Sequence, residues 1–213
     1  MRKKPLIALL ALTLAAATPA FAGPPFTCHV FEIGSAKSLP WSGNDNWLGM
    51  RDDYDFHHVV ADTEALLTPS TPTLVRMETL RRASLYASRD RAVAEQLIAA
   101  MMSRVHTADQ AGQPIALFDA GYVIEALSEI EQFGSHTKQL AGSERVLAGL
   151  TRSFEARPLL EKSAALRPGD PAIEFALGLL SRSPESETHF RKARAGAAQD
   201  ELLANNLARL QLQ

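Results

Sequence analysis

Cysteine is nearly absent from this chain of 213 residues, in which Cys28 is the single one. A lone cysteine excludes an intramolecular disulfide, so the fold cannot depend on covalent cross-links within the chain. The chain is long enough to bury a core of ordinary size without such links. We expect Cys28 to be buried, bonded to another chain, or reactive.

A strong charge of either sign is also lacking, because 22 Lys and Arg residues face 24 Asp and Glu residues, for a formal net charge of −2. A mildly acidic composition disfavours nucleic acid as a partner. Beyond the first residues, no apolar run approaches the roughly twenty residues that cross a bilayer. We therefore predict no nucleic-acid partner and no stable membrane insertion of the processed chain.

The first residues follow the pattern of a secretory signal peptide. Basic residues occupy positions 2–4, an apolar stretch covers positions 6–17, and Ala20-Phe21-Ala22 supplies a small-x-small cleavage site. We predict that residues 1–22 are a signal peptide cleaved after Ala22. The processed protein would then begin at Gly23 and be periplasmic or secreted.

The motifs of common hydrolases and nucleotide-binding enzymes are missing from the sequence, and no cofactor is predicted. Carboxylates and imidazoles crowd together only in residues 52–58, where the candidate metal ligands are Asp53, Asp55, His57 and His58. Adjacent histidines usually point in different directions, and the spacing does not match a His-Glu-x-x-His helix. An envelope enzyme or metal-binding protein that uses this cluster remains an alternative reading.

Residues 23–70 form a segment rich in Gly, Pro, Asn, Asp and Ser with little helical periodicity, which predicts an irregular arm. Its aromatic content is too high for a disordered tail, so we expect it to pack on the helices that follow. The predicted apolar anchors of this arm are Trp41, Trp47, Tyr54 and Phe56. Its excess of acids suggests contacts with the arginines at positions 76, 81 or 82, although those arginines could equally form a solvated helix face.

Helical periodicity begins at Thr71-Pro72, a capping residue followed by proline, and predicts a first helix there. A second helix is expected to end near Arg104, and a third follows the polar loop 107–114 and ends near Gly134. A fourth is predicted over 143–155. A new helix is expected at Pro158, because proline is unfavourable inside a helix.

The last quarter of the chain repeats itself. Shifting residues 159–180 by thirty positions onto 189–210 superimposes several pairs of identical residues, among them Lys162 on Lys192, Asp170 on Asp200 and Leu177 on Leu207. A fixed period of this size is typical of helical repeat arrays, in which each unit buries its apolar face against its neighbour.

Three groups of residues in this quarter resemble the tetratricopeptide repeat. They are Leu160-(x2)-Ser163-(x4)-Pro168, the pair Leu177-Gly178, and Ser186-(x3)-Phe190-(x2)-Ala193. The interval from Gly178 to Ser186 is four residues shorter than in that family, which explains the period of thirty. The resemblance covers residues 159–210 and does not extend to the arm. It implies right-handed stacked helix hairpins with a concave face that receives an extended or helical peptide.

These observations predict an all-α protein, with antiparallel helix hairpins stacked as a short TPR-like α-solenoid over residues 71–213 behind the aromatic arm. The predicted function is an exported protein-interaction or assembly module with a protein or peptide partner. Candidate partner-binding residues are Arg182, Asn205, Asn206 and Arg209. The leucines of the last helix require cover, which suggests a homo-oligomer. A purely structural helical domain is a further alternative.

Overall fold

A computed structural model describes residues 25–43 and 46–210 and contains no strand within those ranges. The prediction of an all-α protein is confirmed for this part of the chain. The predicted signal peptide, residues 1–22, lies outside the described residues. The helices are α1 Val59–Leu66, α2 Thr73–Ala87, α3 Arg91–Thr107, α4 Gln113–Phe133, α5 Ser143–Val146, α6 Ala156–Leu166, α7 Pro171–Leu180, α8 Glu185–Gly196 and α9 Glu201–Leu210.

Aspartates cap several of these helices at their first turns. The Asp170 carboxylate accepts hydrogen bonds from the Ala172 and Ile173 N–H groups, and Pro171 is the first residue of α7, as the Asp-Pro pair predicts. Asp90 caps α3 in the same way. These capping bonds satisfy backbone donors that have no partner inside the helix.

The predicted start, with Thr71 as N-cap and Pro72 as the first helical residue, is displaced by one residue, because α2 begins at Thr73 and Pro72 is its N-cap. The Thr71 hydroxyl donates instead to the Leu66 carbonyl oxygen at the end of α1. It thereby closes the turn between the two helices.

The predicted fourth helix over 143–155 is wrong. Only residues 143–146 form α5, and a separate 3-10 turn covers residues 151–153. Gly149 lies between them with φ +70°, a left-handed conformation that ends a helix and that glycine adopts without strain. The apolar side chains of Leu147 and Leu150 are still buried, so this segment meets the core without being continuous helix.

Each longer helix packs on the next one along the chain: α2 on α3, α3 on α4, α4 on α6, α6 on α7, α7 on α8 and α8 on α9. Alternate helices also touch, with α2 against α4 and α7 against α9. A further contact joins α2 to α7, which are far apart in sequence. Within the described residues, no helix is long and apolar enough to cross a membrane.

A buried ion pair ties α2 to α4. The Arg76 guanidinium donates to the Asp119 carboxylate at 2.7 Å, and both side chains are inaccessible to solvent. Arg104 of α3 approaches the same carboxylate oxygen at 3.4 Å. Arg76 also donates to the Thr68 and Thr71 carbonyl oxygens, so the loop between α1 and α2 is held by the same side chain.

Candidate peptide-binding groove

Residues 25–41, which we call the arm segment, lie across helices α2, α4, α7 and α9. The Phe26 ring meets Tyr122 of α4 edge-on with centroids 5.3 Å apart, and the Phe31 ring meets Phe175 of α7 at 6.1 Å. Phe26, Phe31 and Leu39 are all part of the main hydrophobic core. We call the helix surfaces that contact the arm segment the inner groove.

Two helix carboxylates accept hydrogen bonds from backbone N–H groups of the arm segment. The two oxygens of Glu129, on α4, accept from the Phe26 N–H at 2.8 Å and from the Thr27 N–H at 2.9 Å. Glu78, on α2, accepts from the Phe31 N–H at 3.2 Å. Residues 26–28 form a single 3-10 turn, and the Phe26 and Thr27 N–H groups at its start have no partner within the turn. Such backbone groups must find partners elsewhere, and here helix side chains supply them.

An asparagine holds the next residue by both of its backbone groups. The Asn206 side chain, on α9, accepts from the Glu32 N–H at 2.9 Å and donates to the Glu32 carbonyl oxygen at 2.9 Å. Its amide also donates to the Leu202 carbonyl oxygen, which fixes its orientation. The Glu32 carboxylate lies 3.3 Å from the Arg209 guanidinium. The last helix therefore contacts both the backbone and the side chain of this residue.

Basic and hydroxyl side chains of α2 bind the carbonyl groups of the arm. Arg81 donates to the Thr27 carbonyl oxygen at 3.2 Å and to that of Trp47 at 2.9 Å, while Arg82 donates to that of Leu39 at 2.8 Å. The Tyr86 hydroxyl donates to the Pro40 carbonyl oxygen at 2.7 Å. Because these contacts are to backbone atoms, they fix the path of the arm and place little restriction on its side chains.

Glu78 is the electrostatic centre of this surface. Its buried carboxylate accepts from Arg81 through both oxygens at 2.8 Å and from Arg82 at 2.6 Å. Burial opposes ionisation, but Arg81 and Arg82 hold the pKa of Glu78 below its ordinary value. At Glu129 burial prevails, and its pKa is raised although the Thr27 and Phe26 N–H groups favour the charged form.

The rings of the predicted arm anchors contact α2, the turn after it, and α4. The Trp41 ring lies under the guanidinium groups of Arg81 and Arg82 and meets Tyr86 edge-on. The Tyr54 ring packs on Tyr86 with centroids 4.8 Å apart, and the Phe56 ring lies against the Arg89 guanidinium.

The ring of the fourth anchor, Trp47, packs on Phe133 of α4, while its carbonyl oxygen accepts from Arg81 of α2.

Among the described residues, no acid of the arm pairs with Arg76, Arg81 or Arg82, and the prediction of such pairs is wrong for these residues. Asp53 binds the neighbouring Arg51, and Asp62 accepts from the Tyr54 hydroxyl. The three arginines instead bind carboxylates of the helices themselves and carbonyl oxygens of the chain. Buried guanidinium groups need several acceptors in fixed positions, and backbone carbonyls and helix carboxylates provide these better than exposed arm acids.

The candidate metal ligands lie together but at the surface. Asp55 accepts from the His57 imidazole at 2.7 Å and lies 3.6 Å from that of His58, with both imidazoles more than 60% exposed. The fourth candidate, Asp53, is engaged by Arg51. Among the described residues, no group of three or more His, Cys, Asp or Glu side chains is arranged to hold a metal ion.

The four candidate partner-binding residues occupy different environments. Arg182 and Asn205 are exposed, and Arg209 is half-buried beside Glu32. The expectation that Asn206 belongs to an exposed face is wrong, because its side chain is only 3% exposed and is bonded to the arm. Asn206 lies three residues after Leu203 and four before Leu210, on the same helix face, and this spacing was the available signal for a contact within the chain.

Glu78 and Glu129 are groove residues that the sequence reading missed as a site. Glu78 has Arg81 and Arg82 three and four positions further along α2, a spacing that aligns all three on one helix face. That face also carries core residues such as Leu74 and Met77, which indicates a buried ionic cluster. No comparable local pattern surrounds Glu129, since its partners are more than a hundred residues away.

Cys28 lies in the arm segment between the Glu129 and Asn206 contacts and is partly buried. Burial, together with the charge of Glu129, raises the pKa of its thiol to about 11, although Arg81 acts in the opposite direction. A thiol with so high a pKa is almost entirely protonated at neutral pH and is a poor nucleophile.

Comparisons with known proteins returned no match. The chain fits no protein-family model, and neither the curated proteins nor the solved structures contain a match to it.

Proposed function

We propose that this protein is an exported interaction module of the TPR-like helical repeat type, whose inner groove binds a segment of polypeptide that has no α-helix of its own. The packing of α7 on α8 supports the repeat resemblance. A Cβ atom on Gly178 would lie 2.7 Å from the Phe190 ring, so glycine permits this close approach. Ala193, the third residue of the pattern in α8, is fully buried.

The observation that carries this proposal is the arm segment itself. Side chains from three helices, Glu78 of α2, Glu129 of α4 and Asn206 of α9, accept backbone N–H groups from residues that are far from them in sequence. A surface that binds one such segment in this way has the donors and acceptors needed to bind another. The path and the contacts of the arm segment therefore support binding of a partner segment in the same groove.

Backbone recognition gives affinity, and side-chain pockets give selectivity, as in other modes of peptide recognition. In the inner groove, the Asn206 amide and the Glu129 carboxylate supply the backbone contacts. Tyr122 and Phe175 supply aromatic surfaces for two side chains of the bound segment. Two such sites along one segment suit an interaction or assembly component.

Site-specific photo-crosslinking in the producing cell tests this function. A photoreactive amino acid is placed at Asn205, which is exposed beside Asn206, and in a matched variant at Arg152, which is exposed on the 3-10 turn after α5. We expect one discrete crosslinked species in the exported fraction from position 205 and none from position 152. Identical labelling from both positions, or none from either, would contradict the proposal.

A further inference from the structure

A cavity separate from the inner groove, which we call the arginine cleft, lies where the loop after α1, the loop after α3 and the end of α6 meet. Its volume is about 430 Å³, within the size range of small-molecule sites in proteins. None of the residues that line it is among those that hold the arm segment. The arginine cleft is therefore a second candidate site with its own chemistry.

Three arginines line the arginine cleft at different depths. Arg76 of α2 is inaccessible to solvent, whereas the side chains of Arg104, on α3, and Arg167, after α6, are 26% and 44% exposed. Arg76 and Arg104 approach the same Asp119 carboxylate oxygen, at 2.7 Å and 3.4 Å, so their guanidinium groups lie close together. Burial lowers the pKa of Arg76, and the charges of Arg104 and Arg167 lower it further, although Asp119 acts in the opposite direction. A negative group in the cleft would offset this repulsion between cations.

The guanidinium groups of the cleft have more N–H donors than acceptors. Each guanidinium carries five N–H donors. Arg104 uses only its Nη2 group, which donates to the Leu67 carbonyl oxygen and approaches Asp119, and its Nε and Nη1 groups have no acceptor among the described residues. In the same part of the chain, Arg167 has no hydrogen-bond acceptor and forms only an ion pair with Asp170 at 3.4 Å. Donors of both arginines are therefore available to a ligand.

The rest of the lining is mostly apolar and includes one acid. Pro69, Ile115 and Ala116 are among the apolar residues of the wall. The Asp109 carboxylate accepts from the Gly112 N–H at 2.7 Å, at the start of α4. Its negative charge disfavours an anion that carries several charges. The cleft thus suits a ligand with a single negative charge and an apolar part.

We infer that the arginine cleft binds a small organic acid, in which one carboxylate is attached to a short apolar body. The carboxylate accepts from the unused N–H groups of Arg104 and Arg167, because planar guanidinium groups match the two oxygens of a carboxylate. The apolar body lies against Pro69 and Ile115. The inference is independent of the proposed function, since it uses none of the contacts of the inner groove.

Protein NMR of the full processed chain at pH 7 tests this site. The probe is 3-phenylpropionate, and its neutral analogue 3-phenylpropanamide is the matched ligand. We expect the acid to cause saturable shifts of the Gly112 and Ile115 amide signals, since both residues line the cleft. The amide should bind at least about tenfold more weakly, because it cannot make charge-assisted hydrogen bonds through two oxygens. Equal binding of the two probes, or no shift at these residues with the acid, would overturn the inference.

Arginine variants assign the binding to the cleft. Arg104→Gln should weaken binding of 3-phenylpropionate by about tenfold, and Arg167→Gln, at a more exposed side chain, by about threefold. Arg145→Gln is the matched control, because Arg145 is 86% exposed, pairs with Glu144 at 3.5 Å and lies outside the cleft. It should change binding by less than about twofold.

Circular dichroism checks that each variant is folded, and Arg167→Gln decides the question if Arg104→Gln does not fold. Arg167 makes no hydrogen bond within the described residues, so its replacement should leave the fold intact. An Arg167→Gln chain that is folded and binds the acid as well as the control variant does would overturn the site.

Two further probes test the chemical class of the ligand. Inorganic phosphate should bind at least about tenfold more weakly than 3-phenylpropionate, since it lacks an apolar body and carries more charge. Tighter binding of phosphate would overturn the assignment to an organic acid. N-acetylated alanyl-phenylalanine represents the C-terminus of a polypeptide, which offers the same carboxylate chemistry. If this dipeptide binds more tightly than 3-phenylpropionate, the occupant is a chain end and not a small acid.

Discussion

Phe31 offers the sharpest test of whether the arm segment belongs to the core. Its side chain is 3% exposed and its ring packs on Phe175, so Phe31→Ala removes a buried aromatic ring and leaves a cavity. Changes of this kind cost about 3 to 5 kcal/mol in the free energy of unfolding. The backbone bond from the Phe31 N–H to Glu78 is retained, so the loss reports on the side chain alone. An arm that lay loosely on the surface would lose less than about 0.5 kcal/mol.

Urea denaturation followed by circular dichroism measures this loss, with Phe56→Ala as the matched control. Phe56→Ala is the same chemical change at a partly exposed position, where the ring stacks on His57. It should lower the free energy of unfolding by about 1 kcal/mol. A Phe31→Ala loss no larger than that of the control would refute the arrangement of the arm segment in the inner groove.

Three further outcomes are expected. Burial raises the pKa of Asp119 to about 6 despite Arg76 and Arg104, so the folded state binds the proton of this carboxyl more tightly than the unfolded state does. The free energy of unfolding should therefore fall as the pH rises from about 4 to about 6. Asp119→Asn removes this titration. The difference in the free energy of unfolding between the variant and the natural protein should therefore shift in favour of the variant by up to about 3 kcal/mol as the pH rises from 4 to 7; parallel pH curves would contradict the raised pKa. Because burial raises the pKa of Cys28 from 9.0 to about 11, iodoacetamide should alkylate it at pH 7.5 about 100-fold more slowly in the native than in the denatured chain, and equal rates would argue against its burial. Mass spectrometry of the exported protein should find Gly23 as the first residue, and an unprocessed chain that stays inside the cell would exclude the predicted export.

Local sequence patterns predicted the elements that local physics controls. The Asp170-Pro171 pair starts α7 because a carboxylate satisfies free N–H groups and proline suits the first turn. Over 143–155, in contrast, the apolar spacing resembled a helix, and the left-handed Gly149 ended it. Apolar periodicity identifies which side chains are buried, but it does not identify the backbone conformation that buries them.

The candidate site shows the same division. Aromatic residues predicted that the arm would pack on helices; the Trp41 and Tyr54 rings meet Tyr86 of α2, and the Phe56 ring lies against Arg89 in the turn that follows α2. Opposite charges predicted the wrong partners, because buried arginines bind carbonyl oxygens and helix carboxylates that a charge count does not consider. The sequence predicted that Asn206 would bind a partner protein, yet its side chain binds the backbone of Glu32 in the same chain.

By itself, the sequence determined that the described chain is helical, where several helices begin, and that aromatic side chains would fix the arm, because periodicity, caps and burial act over a few neighbouring residues. Only the tertiary structure decided that the arm segment fills the inner groove and that Glu78, Glu129 and Asn206 bind its backbone. These contacts join residues from 47 to 174 positions apart. Their geometry depends on the stacking of α2, α4, α7 and α9, which no local pattern encodes.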